Sequence, residues 1–449
     1  MEKRIHNPRY ESLKREEVTA LQFERLTQLM EKTWTQNEFY RDRWRKAGVS
    51  PEMITSLDEF AARVPTVEKQ DFIADQEADP PFGRRHAHAL SLHVPLVVSN
   101  TSGTSGQGVE IHAQTRADFR ETEEVYAFGL CWSGLRPGDG LFLTLPITVM
   151  PGGRCEYHGA VAFGLTVYAV GNYDAAKKLE LLNRFRPVAL FGTTSYFGHL
   201  AAVSERKPPS PGMRVLLTGG EGAGLAWLER LEDAWQAKVY DRYGSTQAGN
   251  DHMFSCEYGI GSRERPGMLH NIDPYVLAEV VDPNTGRHVK DGEEGEIVVT
   301  SLYHLDTPLI RCRMRDRAVW HEPAYCPCGR PFSGVEVTSI GRLDDMKKVK
   351  GVNIWPQAVD DLLFAQKQID EYQVVLTSDA QEADVATIKV MPKQRLPAEE
   401  AGRFSEHLVD SLRERVGIRF AVEIVAPGTL SRSEYKARRW IDKRLHVQS

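Results

Sequence analysis

Cysteine is scarce in this chain. Six in 449 residues, at positions 131, 155, 256, 312, 326 and 328, do not make a disulfide framework. No apolar run is long enough to cross a bilayer, so no membrane partner is expected. The first residues, MEKRIHNPRYESLKREE, carry charge but no apolar core. They do not read as a secretory signal, and the expectation is a cytoplasmic protein. Positive charge is not in excess: 56 Lys and Arg against 62 Asp and Glu leave a net −6. That argues against a nucleic-acid partner held by electrostatics. There is no internal repeat and no low-complexity tract. With 41% hydrophobic and 26% charged residues the composition is that of a globular protein, and the length calls for two or three domains.

What is present begins with Ser99-Asn100-Thr101-Ser102-Gly103-Thr104-Ser105-Gly106-Gln107-Gly108, where five hydroxyl residues and three glycines share ten positions. Glycine lets backbone N–H groups approach an anion, and hydroxyls add donors. The spacing and lysine of a Walker loop are missing. A flexible linker is the competing reading of this stretch taken alone.

The first 80 residues or so read as helical, with Phe23, Leu26, Met30 and Trp34 at helical spacing. From 90 to about 250, apolar strand-like runs at 140–147, 165–170, 188–191, 215–218 and 239–243 alternate with helical stretches such as 175–185 and 226–236. That alternation predicts an α/β domain with a largely parallel sheet, whose ligands bind at the carboxyl ends of strands. From 268 to 320 the texture turns to hairpins around VLAEVV and EIVVTSL, followed by a segment with Asp316 among Arg311, Arg313, Arg315 and Arg317. After Gly341 a small domain begins. It has helices at 356–366 and around Phe404, Leu408 and Leu412, and strands at 372–376, 386–390 and 421–425. The basic tail GTLSRSEYKARRWIDKR follows.

Several segments could meet a nucleotide. Thr218-Gly219-Gly220-Glu221-Gly222 offers glycine backbone for a flat ring and a carboxylate acceptor. Tyr243-Gly244-Ser245-Thr246 sets an aromatic face beside a hydroxyl. Asp316 could bind a ribose diol, and Gly341-Arg342-Leu343-Asp344-Asp345 reads as a polar hinge. Each has a plain structural alternative: a strand-end turn, a surface ion pair or a linker.

In this order, the segments resemble the adenylate-forming acyl-CoA synthetase superfamily, and within it the phenylacetate–CoA ligase branch. GGRCEYHGAVAFGLTVYAVGN, DPNTGRHVKDGEEGEIVVTSLYHLDTPLIRCRMRD, GRLDDMKKVKGVNIWPQAVDDLL and the basic tail carry the resemblance, which spans about residues 60–445. It implies a large N-terminal α/β domain of layered sheets and helices over 1–340 and a small mobile α+β domain over 345–449, with the hinge at 341–345. It implies ATP-dependent activation of a carboxylic acid to an acyl-adenylate, then transfer to coenzyme A with release of AMP.

Carried over by position, loop 101–108 grips the β- and γ-phosphates, with Thr101, Ser102, Gly103, Thr104, Ser105 and Gly106 at its centre. Glu221, beside Gly220, and Tyr243, beside Gly244, would meet adenine. Thr246 would meet the α-phosphate, and Asp316 and Arg342 the ribose. Asp344 is the hinge, and Lys436 the catalytic cation bridging carboxylate and α-phosphate. The branch points to an aromatic or arylalkyl acid, with Tyr157, Phe191, Tyr196 and Phe197 as aromatic or apolar candidates and His158 and Arg154 either as readers of a ring substituent or as structural residues. Relatives in the branch are often dimers, so a homodimer is among the expected assemblies.

Three positions depart from the family pattern. Gln107 stands where lysine is usual in the phosphate loop. Gln247 stands where a Mg²⁺-binding glutamate is usual, and an amide is the weaker ligand for a hard cation. Cys312 replaces a frequent tyrosine. Two other readings therefore stand beside the ligase: an adenylating enzyme with an acceptor other than CoA, and a non-catalytic nucleotide-binding scaffold.

Cys256, His270, Cys326 and Cys328 form a second constellation. Three thiolates and an imidazole suit a tetrahedral structural Zn²⁺, and some members of the branch carry zinc at matching places. His252 is the rival fourth ligand, and unliganded thiols the alternative.

Overall fold

A long amphipathic helix, Arg15–Gln36, opens the fold and buries Val18, Leu26, Leu29 and Met30 on one face. Asn37 ends it and caps the next helix, Glu38–Lys46, its side chain accepting the Tyr40 N–H at 3.2 Å. Helices Leu57–Arg63 and Lys69–Ala78 complete the N-terminal stretch. This computed structural model describes residues 2–101, 108–379, 383–430 and 439–444. Among the described residues no helix is long and apolar enough to cross a membrane.

The chain divides into two compact units. The first comprises Met1–Gly192, Ser210–Gly220 and Ala237–Ile340; the second comprises Thr193–Pro209, Glu221–Gln236 and Gly341–Ser449.

The first unit holds a small hairpin and one large sheet. Strands β1 (Leu96–Asn100) and β2 (Ile111–Thr115) pair antiparallel, with Asn100 opposite Ile111. The large sheet is built from β3 (Gly140–Leu143), β4 (Thr166–Ala169), β5 (Ala189–Gly192), β6 (Val215–Thr218), β7 (Lys238–Ser245), β8 (Asn250–Ser255), β9 (Met268–Asn271), β10 (Val276–Val281), β11 (Glu294–Ser301), β12 (Leu309–His321) and β13 (Gly334–Glu336). Its order is β10-β11-β12-β13-β9-β8-β7-β6-β5-β3-β4.

The largely parallel sheet expected up to about residue 250 is seen from β4 to β7, and the hairpins expected from 268 on continue it. β3 to β7 pair in parallel, whereas every pair from β7 through to β10 is antiparallel. Connection length decides this. Residues 246–249 make a tight turn after β7, and a tight turn can only return the chain antiparallel. The segment from 268 on, with its hairpin texture, is therefore the continuation of the same sheet.

The central parallel strands β5 and β6 are buried on both faces, as their unbroken apolar runs require. Leu141, Leu143, Ala189, Phe191, Val215 and Leu217 pack with Leu130 and Ala160 from helices Arg116–Trp132 and Pro151–Phe163. Each fully buried leucine there contributes about 1.5–3 kcal/mol. The second helix stops at Gly164, which takes φ +98° as its left-handed cap.

In the second unit a four-stranded sheet runs Ala421–Ile424, Asp384–Pro392, Ile369–Ser378, Trp440–Asp442. The central pair is an antiparallel hairpin and both outer strands join in parallel. Helix Ala398–Val416 buries Phe404, Leu408 and Leu412 and ends at left-handed Gly417. Helices Thr194–Val203 and Leu225–Trp235 belong to this unit too. Trp227 packs on Phe364 at 4.6 Å between ring centroids, and Arg230 donates to the Ile369 carbonyl at 2.9 Å.

Candidate functional site

The phosphate-loop sequence turns out to be the connection between β1 and β2. The Thr101 N–H donates to the Glu110 carbonyl at 3.0 Å, and the Glu110 N–H donates to Thr101 Oγ1 at 3.1 Å. These two bonds close the loop at its base. Ser102, Gly103, Thr104, Ser105, Gly106 and Gln107 lie outside the described residues. Arg154, for which a ring-reading and a structural role were both open, anchors the strand that enters the loop. Its guanidinium donates to the Val98 carbonyl at 2.8 Å and to Ser99 Oγ at 2.5 Å.

Tyr243 and Asp316, 73 residues apart, meet directly. The phenol donates to Asp316 Oδ2 at 2.8 Å and both residues are buried. Three of the arginines near Asp316 in sequence pair with carboxylates elsewhere in the sheet. Arg311 pairs with Glu279 of β10, and Arg313 and Arg317 pair with Glu296 and Glu294 of β11. Asp316 is thus a buried partner of the tyrosine rather than a surface ion pair.

Gly244 is required where it stands. β7 slips register against β8 at Tyr243 and Gly244, and a Cβ there would lie 2.1 Å from the Asn250 carbonyl oxygen. Two residues before Gly244, Arg242 is buried, paired with Glu156 and 3.8 Å from Asp251. Burial drives the Glu156 carboxyl up to about 7, against the opposing pull of Arg242. Thr246 opens the turn that follows β7 and is half-buried.

Gly220 takes φ +80° and closes a piece of the first unit; Glu221 opens the next piece of the second. One Glu221 oxygen accepts from Thr194 Oγ1 at 2.8 Å and from the Ser195 N–H at 2.6 Å, at the start of helix Thr194–Val203. Tyr196 is buried on that helix. Arg342 is exposed, Asp344 falls in a single turn of 3-10 helix, Leu343–Asp345, and both lie in the second unit. Lys436 lies outside the described residues. Three positions after it, Arg439 is clamped by Glu371 at 2.7 Å and stands 3.6 Å from Asp360, with Phe364 beneath its guanidinium. That clamp fixes the end of the basic tail.

Of the residues expected to meet the acid, Tyr157 packs against the core of the first unit. His158 is half-exposed, edge-on to Phe119 and Tyr157, and 3.8 Å from Glu123. Burial holds its pKa below the usual histidine value despite Glu123. Phe191 and Phe197 are core residues: Phe191 lies under Arg242, and the Phe197 carbonyl accepts from the Trp235 indole.

The cysteine constellation closes. Sγ of Cys256, Cys326 and Cys328 and a ring nitrogen of His270 all lie within 4.8 Å of one another, and all four residues are buried. Cys256 and Cys326 sulfurs are 3.6 Å apart, and Cys328 Sγ is 3.4 Å from His270 Nε2. Ligands at ordinary Zn–S and Zn–N distances on a tetrahedron stand about 3.5–3.8 Å apart, so the donor set fits. His270 Nδ1 bonds the Phe332 carbonyl at 3.2 Å, which directs Nε2 to the thiols. Burial alone would lower His270, but Cys256 and Cys328 outweigh it and push it up to about 10. Cys256 and Cys326, with His270, hold the Cys328 thiol well below its ordinary range. His252 is not part of the group: it bonds Asn271 at 3.0 Å and lies edge-on to Tyr243.

Sequence reasoning passed over Glu110. It is fully buried and accepts from the Gln247 amide at 2.7 Å across 137 residues.

Residues 25–303 match the AMP-binding enzyme family, and residues 351–444 match the AMP-binding enzyme C-terminal domain. The chain belongs to this adenylate-forming family, in its phenylacetate–CoA ligase-like branch. It is 30% identical to a phenylacetate-coenzyme A ligase of Thermus thermophilus, over 98% of this chain and 100% of that one. It is 25% identical to the phenylacetate-coenzyme A ligase of Escherichia coli, over 96% and 95% of the two chains. A crystal structure of 2-hydroxyisobutyryl-CoA ligase in the postadenylation state with 2-HIB-AMP superposes with TM-score 0.88 at 29% identity, covering 97% of this chain and 91% of that one.

Proposed function

We propose that this AMP-forming acid–CoA ligase activates an aromatic or arylalkyl acid. In the first step the acid carboxylate attacks the α-phosphorus of ATP and pyrophosphate leaves. In the second the CoA thiol attacks the acyl carbon and AMP leaves. The observation that carries the nucleotide half is the buried Tyr243–Asp316 hydrogen bond. It fixes an aromatic face for adenine beside a carboxylate for the ribose hydroxyls, both on strands of one sheet.

The remaining roles follow. Loop 101–108 holds the β- and γ-phosphates, Thr246 the α-phosphate, Glu221 the adenine edge and Arg342 the ribose. Lys436 bridges acid and α-phosphate oxygens, where charge develops as the phosphorus is attacked. The small domain over 345–449 turns about Asp344 between the two steps. The edge-on cluster of Phe119, Tyr157 and His158 supports an aromatic acid. Zn²⁺ on Cys256, His270, Cys326 and Cys328 would pin the hairpins of the first unit without touching the chemistry.

The similarity to 2-hydroxyisobutyryl-CoA ligase favours a second reading, a short branched hydroxy acid. The test is an acid panel spanning both classes, followed by pyrophosphate release and thioester formation with and without CoA. An aryl acid should give a thioester. Pyrophosphate release without a thioester would shift the acceptor away from CoA. Turnover of the hydroxy acid alone would replace the aromatic reading. Lys436→Ala should abolish adenylate formation while the chain stays folded; an unchanged rate removes Lys436 from the mechanism.

A further inference from the structure

Glu156 is a fully buried carboxylate that serves one partner, Arg242. Its Oε2 accepts from the guanidinium, and its Oε1 has no hydrogen-bond partner among the described residues. Arg242 is buried with it, 3.8 Å from Asp251 Oδ2. Three aromatic rings surround the guanidinium, with centroids at 4.9 Å for Phe191, 5.5 Å for Phe254 and 5.8 Å for Tyr126. The Tyr126 phenol donates to Asp251 Oδ2 at 3.2 Å. A buried pair of this kind adds little stability, because removing both charges from water offsets their attraction, and apolar residues of similar volume often do as well. What it does supply is direction. Apolar surfaces can slide past each other, whereas a caged guanidinium on a carboxylate has one place.

The pair stands where direction is needed. Helix Pro151–Phe163 is held at three successive residues. Arg154 donates to Val98 and Ser99 of β1, Cys155 Sγ lies 3.9 Å from the Gly249 carbonyl oxygen in the turn after β7, and Glu156 takes Arg242 of β7. On β7, Arg242 immediately precedes the point where the strand slips register against β8, at Tyr243 and Gly244. A slipped ladder fixes the strand end less firmly than a regular one. Arg242 ties that end to the helix through Glu156 and faces Asp251 of β8. Its stem lies against the end of β6, where a Cβ on Gly219 would stand 3.0 Å from Arg242 Cγ.

We propose that Glu156 and Arg242 are positioning residues for the nucleotide, holding the end of β7 so that Tyr243 and the turn with Thr246 keep their places. Neither touches the nucleotide. They act through the backbone of β7, and the helix that supplies Glu156 also carries Tyr157 and His158, so the same brace joins the acid candidates to the nucleotide strand. This rests on the adenylating reading above.

The test separates positioning from folding. The paired substitution Glu156→Leu with Arg242→Met removes both charges and keeps the volume, so the full chain should melt close to the wild type. Binding of a non-hydrolysable ATP analogue, followed by calorimetry without acid, should nevertheless weaken by about tenfold, within the cost of a small misplacement of a binding group. In pyrophosphate exchange the KM for ATP should rise by a similar factor, with kcat changed far less. Glu156→Gln keeps an acceptor for the guanidinium and should hold the affinity near the wild type. Wild-type analogue affinity in the folded paired variant overturns the assignment. Should that variant fail to fold, Arg242→Lys keeps the charge but not the planar fork, and wild-type affinity there overturns it instead. A chain that loses analogue affinity with the pair yet activates no acid fails the functional reading alone.

Discussion

Replacing Tyr243 by phenylalanine keeps the ring proposed for adenine and removes one hydrogen bond. That bond runs 2.8 Å from the phenol to Asp316 Oδ2, between two buried residues. A hydrogen bond to a charged group contributes about 1.5–3 kcal/mol net. If the bond holds Asp316 ready for the ribose, most of this loss appears in nucleotide binding. Each ~1.4 kcal/mol is a factor of ten, so the KM for ATP should rise about 10- to 100-fold, with kcat changed far less. Comparing ATP with 2′-deoxy-ATP isolates the ribose contribution. The wild type should discriminate between the two, and the variant should discriminate less, since its ribose contact is already loosened. Pyrophosphate exchange measures both nucleotides, and a thermal melt reports any loss of stability. A variant that melts lower but keeps wild-type KM for both nucleotides would refute the reasoning, because the bond would then serve folding alone.

Arg154→Met should raise the KM for ATP and leave that for the acid unchanged, because the guanidinium is bonded to Val98 and Ser99 at the loop entrance; the reverse pattern would restore it as a reader of the substrate. Cys328→Ser should drop zinc from about one per chain to near none by elemental analysis and lower the melting temperature; zinc-free wild-type protein counts against the site. Burial, with Asp306 nearby, raises Asp118 from 3.8 to about 7. The folded chain then holds a proton there that the unfolded chain has lost, so this group's contribution falls as pH rises from about 4 to about 7. Asp118→Asn should flatten that slope, which is at most about 1.4 kcal/mol per pH unit, in denaturant titrations at pH 5 and pH 7.

Much of this protein was legible because its signals are local. The hydroxyl- and glycine-rich loop, the Tyr243-Gly244 turn and the basic tail are each a few adjacent residues, and their order along the chain carried the family. The alternation of apolar runs and helical stretches gave the parallel half of the sheet, since each βαβ unit is written in contiguous sequence. The hairpins from 268 on were legible too, but not that they continue the same sheet. Nothing near 246–249 announces that β8 will extend the sheet already begun.

The rest was decided by pairings across long separations, which no local pattern encodes. The folding of the sheet brought Asp316 to Tyr243 and gave Arg311, Arg313 and Arg317 to Glu279, Glu296 and Glu294. The cysteine spacing made a metal site plausible, yet only the pairing of β8 with β9 chose between two histidines. It set His252 against Asn271 and left His270 facing three thiols. Residue types alone thus determined which chemistry the chain could attempt: phosphate donors, an aromatic face, thiolates and a lysine in a basic tail. Tertiary structure decided which of them meet. A hydrogen bond or a ligand contact depends on ångström distances, and folding sets those between Glu110 and Gln247 while the sequence holds them 137 residues apart.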